Sequence, residues 1–85
     1  MKIKYTKHAE LKLIDLSELG IKINKVFIRK IINKPAHIDK TSDYPNLIFS
    51  GNLSKGHILR IVCKEEDGII KVITFYPAKK GRYFI

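Results

Sequence analysis

The dipeptide Asp67-Gly68 stands between two runs, 57–65 and 69–76, that are rich in Ile, Val, Phe and Tyr. Asp-Gly is a favoured two-residue loop of a type I′ hairpin, because both central residues must take positive φ. The dipeptide therefore predicts an antiparallel hairpin in which Glu66 pairs with Ile69. Along an uninterrupted ladder Val62 then faces Ile73, Arg60 faces Phe75 and Leu59 faces Tyr76. If Ser54-Lys55-Gly56 is a three-residue loop, Leu53 faces His57, Ser50 faces Arg60 and Phe49 faces Ile61. Opposed residues share a side of the sheet. One side then holds Leu47, Phe49, Leu53, Leu59, Ile61, Cys63, Ile70, Val72, Thr74 and Tyr76, carries no formal charge, and is the expected core side. The other holds Ile48, Ser50, Asn52, Ile58, Arg60, Val62, Lys64, Lys71, Ile73 and Phe75, an apolar floor with an arginine in its middle. Antiparallel sheets often leave one face open to water. An open face with a central cation and a neighbouring aromatic suits a phosphate and a stacked base. The alternatives are an arginine lying over apolar neighbours, or a face covered by a partner chain.

The remaining chain reads as helix upstream of strand. Residues 2–5 alternate and suit a short first strand. Thr6 is a candidate N-cap for a helix carrying Ala9, Leu13 and Leu16 at helical spacing, with Gly20 as its stop. Asn24 opens a second helix with the stripe Phe27, Ile28, Ile31, and Pro35 ends it. Further strands are expected at about 37–41 and 47–53. The predicted fold class is α+β: two N-terminal helices packed on one face of a twisted antiparallel sheet of four to five strands. With 85 residues and no repeat or linker, residues 1–85 form one domain.

Composition narrows the function. At 45% hydrophobic and 29% charged residues the chain is too apolar for disorder. Its apolar runs are far too short to span a membrane, and the residues behind Lys2 and Lys4 do not form the apolar stretch of a signal peptide. The lone Cys63 excludes an internal disulfide and fits a reducing, cytoplasmic compartment. The formal charge is +9, and the bases are segregated. Lys2, Lys4 and Lys7 form one acid-free stretch, Lys22 to Lys34 a second, and Lys71, Lys79, Lys80 and Arg82 a third. Segregation of this kind points to a polyanion, nucleic acid first, against the alternative that the charge serves solubility. His8, His37 and His57 lack ligand spacing, so neither a metal nor another cofactor is expected. Ser50, Ser54 and Cys63 lack the neighbouring base of a covalent hydrolase.

The segments Leu59-Arg60-Ile61-Val62-Cys63, Glu65-Glu66-Asp67-Gly68, Val72-Ile73-Thr74-Phe75-Tyr76-Pro77 and Lys79-Lys80-Gly81-Arg82-Tyr83, with Thr6-Lys7-His8-Ala9 at the front, carry a resemblance. Together they resemble a small prokaryotic family of domains of unknown function related to RelE-like and BrnT-like toxins, within the barnase/EndoU/colicin/RelE ribonuclease fold. The resemblance implies a toxin-like, metal-independent endoribonuclease or RNA-binding protein of a toxin–antitoxin system, with RNA as substrate and an antitoxin protein as partner. In the family's front motif Lys-His-Ala is followed by an arginine on the same helix; here Lys12 stands near that place, without the bidentate grip of a guanidinium.

Cleavage of RNA without a metal needs a base for the 2′-hydroxyl, a cation for the growing phosphate charge and an acid for the leaving oxygen. His8, Arg60, Lys80 and Tyr83 are the candidate catalytic residues. Lys12, Lys64, Lys71, Phe75, Lys79 and Arg82 are the candidate nucleic-acid-binding residues. His8 and Lys12 share a helix face, whereas a single His near a helix start also serves as a cap or a surface residue. Leu11 and Ile14 lie off the core stripe of the first helix and suit a partner surface, for an antitoxin or a second copy. A non-catalytic nucleic-acid- or protein-binding module on the same scaffold is the alternative.

Overall fold

A computed structural model describes residues 2–20 and 23–81. Its elements are β1 (Lys2–Tyr5), α1 (Lys7–Glu18), α2 (Lys25–Asn33), β2 (His37–Asp39), β3 (Leu47–Ser54), β4 (His57–Glu66) and β5 (Ile69–Lys79). The five strands form one sheet in the order β1-β5-β4-β3-β2. The α+β class, the two helices and the strand count agree with the sequence. The sheet is mixed rather than antiparallel throughout, because β1 runs parallel to β5 while the other pairs are antiparallel. After β1 the chain passes through both helices to the far edge, and the hairpins then bring the last strand back beside the first.

Local chemistry sets the helix ends. Thr6 caps α1, its Oγ1 accepting from the Ala9 amide at 3.1 Å, and Asn24 caps α2, its Oδ1 accepting from the Phe27 amide at 2.9 Å. Gly20 closes α1 at a φ of +79°, a left-handed position that glycine takes without a Cβ penalty. One core joins Ala9 of α1 and Ile28, Ile31 and Ile32 of α2 to Phe49, Leu59, Ile61, Cys63, Ile70, Val72 and Phe75 of the sheet. Glu10 and Lys25 form an exposed ion pair between the two helices.

Both hairpin ladders contain an irregularity. Asp67 and Gly68 take φ of 53° and 76°, as a type I′ turn requires, and Glu66 pairs with Ile69. The ladder holds back to Cys63–Val72, where a bulge leaves Ile73 as an extra residue on β5, so that Val62 pairs with Thr74, Ile61 with Phe75 and Arg60 with Tyr76. One extra residue exchanges the sides of everything beyond it. Phe75 is therefore a fully buried core residue, and Thr74 and Tyr76 lie on the side away from the helices; the middle of that side is not the open floor expected from the sequence, because Ile48, Ser50, Ile58, Arg60 and Val62 are all buried. In the other hairpin Ser54 pairs with His57 across a two-residue turn, and a bulge at Leu53 restores Ser50–Arg60 and Phe49–Ile61.

Gly51, opposite Leu59, lies directly under α2. A Cβ there would stand 2.8 Å from Ile31 Cγ1, so the glycine permits the close approach of helix to strand. Gly51→Ala should destabilise the domain by about 1–3 kcal/mol, the range for overpacking a core. Urea denaturation measures this, and the loss should shrink in an Ile31→Ala background, which lacks the γ carbons that the new Cβ would meet.

Candidate nucleic-acid interface

The chain leaves β1 at Thr6, so β5 beyond Val72 has no strand beside it and α1 begins against that edge. Thr6 fixes the junction. Its amide donates to the Val72 carbonyl and its hydroxyl donates to the carbonyl of Ile73, each at 3.0 Å, while Oγ1 also caps the helix. The helix start is thereby tied to the bulge in β5. The consequence is a meeting of three side chains at the exposed edge. Thr74 Oγ1 is 3.3 Å from His8 Nε2 and 3.4 Å from Lys12 Nζ. Thr74 Oγ1 carries two lone pairs, so it can accept from the ammonium and from the His8 tautomer that is protonated at Nε2, which leaves Nδ1 free to take a proton. Lys12 Nζ also lies over the buried Phe75 ring, 5.5 Å from its centroid. The edge thus combines an imidazole, a cation and a hydroxyl.

Arg60 has a different environment. The registers place His37, Ser50, Arg60 and Tyr76 in one row across β2, β3, β4 and β5. Arg60 is 3% exposed; its Nε donates to the Tyr76 hydroxyl at 3.0 Å and its Nη2 is 3.8 Å from Asp39 Oδ2. Asp39, itself 7% exposed, accepts from the Thr41 and Ser42 amides, each at 3.0 Å. The Ser42 hydroxyl and amide, the Thr41 amide and the Arg60 guanidinium hold the Asp39 carboxyl well below the usual carboxylate range. The bonds from the Thr41 and Ser42 amides order the turn after β2, and the buried guanidinium lies beside the same carboxylate. The sequence register puts Arg60 beside Phe75; its neighbour on β5 is Tyr76, because of the bulge.

A carboxyl whose folded pKa is depressed adds stability that is present above its unfolded pKa, near 4, and is lost as pH falls toward the folded value. Wild-type stability should therefore drop on acidification below about pH 4. Asp39→Asn should flatten that acid limb while lowering stability at neutral pH. Thermal melting as a function of pH measures both.

The other sequence candidates divide by position. Lys64 and Lys71 are exposed on the side of the sheet away from the helices, Lys64 pairing with Glu66 at 3.5 Å. Lys79 and Lys80 are exposed at the far end of β5, where the Lys80 amide donates to the Gly56 carbonyl at 2.8 Å. Arg82 and Tyr83 lie outside the described residues. His8 and Lys12 meet each other through Thr74, and Arg60 lies elsewhere, paired with Asp39 and Tyr76. Thr74 and Asp39 are not among the sequence candidates, and the uninterrupted ladder puts Tyr76 on the core side. Cys63 is buried and burial pushes its thiol up to about 12, which leaves it unreactive. Among the described residues no group of three or more His, Cys, Asp and Glu side chains could hold a metal ion, and no helix is long and apolar enough to cross a membrane. No protein-family model matches this chain, and neither a curated protein nor a solved structure matches it.

Proposed function

We propose that the protein binds RNA along the β5 edge and the lysine-bearing turn end of its sheet, and cleaves it without a metal in the manner of RelE-like and BrnT-like toxins. The observation that carries this reading is the His8–Thr74–Lys12 arrangement at the β5 edge, with His8 exposed and the other two half-buried. In it His8 takes the proton of a ribose 2′-hydroxyl, which attacks the adjacent phosphorus. Lys12 stabilises the charge that grows on the phosphate. The 5′-oxygen leaves with a proton, for which Tyr83 is the candidate donor; Lys80 lies six residues beyond Thr74, about 20 Å by strand rise, too far to serve. The products are a cyclic phosphate on one fragment and a free hydroxyl on the other. The exposed Lys64, Lys71 and Lys79 add charge along the path of a bound strand. A cytoplasmic setting and an inhibitory partner protein belong to the same reading. The exposed Leu11 and Ile14 on α1 support a protein partner or a second copy.

The second reading is a non-catalytic RNA-binding module on the same scaffold. The burial of Arg60 against Asp39 and Tyr76 favours it, because the strongest phosphate-gripping side chain of the sheet is engaged within the protein. A titration of fluorescent single-stranded RNA in EDTA, followed by gel analysis of the same samples, separates the two. Salt-sensitive binding with fragmentation supports the nuclease. Salt-sensitive binding with intact RNA supports the module, and absence of binding at low salt rejects both.

A further inference from the structure

Three lysines lie abreast at the turn end of the sheet. Lys4 of β1 pairs in register with Lys71 of β5, and Lys71 pairs with Lys64 of β4. Their chain neighbours Ile3, Tyr5, Ile70, Val72 and Cys63 pack in the core, so alternation turns all three lysines to the opposite face. Adjacent strands are about 4.8 Å apart, so the three ammonium stems rise within about 10 Å of sheet. Like charges directly opposite one another oppose folding. Lys64 has Glu66 at 3.5 Å, but among the described residues neither Lys4 nor Lys71 forms an ion pair. The lysines line a cleft of about 280 Å³ together with Ile69, Glu66 and Asp67. Lys2, in register with Ile69, adds a further cation beside it.

Strand packing does not account for this row, since lysine is a poor strand former and the central Lys71 has a cation on each side. An anion between the side chains would turn the repulsion into binding. We propose that the Lys4–Lys71–Lys64 row is a backbone-phosphate site for single-stranded RNA, with Ile69 as an apolar floor for the adjoining sugar. The inference rests on the RNA reading above and adds a second phosphate position. Lys71 and Thr74 lie about 10 Å apart along β5 by strand rise, so a strand held here is directed toward the His8–Thr74–Lys12 edge. Lysines act as point charges on single phosphates, so the site reads backbone and not base sequence.

The test compares binding of a fluorescent oligouridylate by the wild type, Lys4→Gln/Lys71→Gln and Lys30→Gln across a salt series. Lys30 is exposed on α2 and serves as the control for charge removal elsewhere. For the double variant the slope of log K against log salt should fall by about 0.7, the contribution of the one phosphate no longer neutralised. At the lowest salt its affinity should drop at least tenfold. Its melting temperature should equal or exceed that of the wild type, because repulsion has been relieved. Lys30→Gln should keep the wild-type slope. If the wild type binds RNA and the double variant keeps its slope, the row is not the site, while the RNA reading stands. If the double variant loses slope only to the same extent as Lys30→Gln, the effect is one of general charge and the proposal falls. If the wild type binds no RNA, the RNA reading falls and takes this site with it.

Discussion

Arg60→Ala should lower the stability of the domain by about 3–5 kcal/mol, the cost of leaving one member of a buried ion pair without its partner. Asp39 would keep its charge, because Ser42 and Thr41 still hydrogen-bond the carboxylate, and Tyr76 would lose its donor on the sheet. Small domains have only about 5–15 kcal/mol of total stability, so the variant should be largely unfolded under mild denaturant. Arg60→Met combined with Asp39→Asn should recover much of the loss, since removing both charges of a buried pair is often nearly neutral. Urea titration of the wild type, Arg60→Met, Asp39→Asn and the double variant measures this as a coupling energy. If Arg60→Ala stays within about 0.5 kcal/mol of wild type, the residue behaves as a surface side chain and becomes the better candidate for gripping phosphate.

The second large effect concerns chemistry and not folding. His8→Ala should reduce RNA cleavage by about 10²–10⁴-fold, the usual contribution of a positioned general base. His8 is exposed in the first turn of α1, so the variant should melt within about 0.5 kcal/mol of wild type. Thr74→Val should have a smaller effect, because the hydroxyl orients His8 and Lys12 without touching the reacting atoms. Its signature is a displaced pH–rate profile, which a merely structural contact would not produce.

These two expectations also mark what is legible in the sequence. Asp67-Gly68 announces its hairpin because the turn chemistry is local: positive φ at both positions restricts the residues that fit. Thr6 and Asn24 announce helix starts for the same reason, since each cap satisfies an amide only three residues away. The bulge at Ile73 has no such marker, because no glycine stands there and β-branched residues continue on both sides. Its trace is a conflict of chemistry. Strict alternation puts Thr74 and Tyr76 in the core and Phe75 in water, whereas burial favours the reverse. Resolving that conflict by one extra residue exchanges the faces and brings Thr74 to His8. The parallel pairing of β1 with β5 is likewise hidden, because it joins the two ends of the chain and no local signal names a strand's distant neighbour. Asp39 as the partner of Arg60 is hidden for the same reason. The row Lys4–Lys71–Lys64 becomes visible only once that parallel register is known.

In the proposed function the β5 edge cleaves RNA with His8 as base and without a metal ion. The most direct measurement incubates end-labelled single-stranded RNA with the wild type and with His8→Ala in the presence of EDTA, and identifies the fragment ends. The wild type should give fragments ending in a 2′,3′-cyclic phosphate, and the folded His8→Ala protein should leave the RNA essentially intact. RNA that stays intact with the wild type, or fragments that form equally with His8→Ala, would contradict this mechanism.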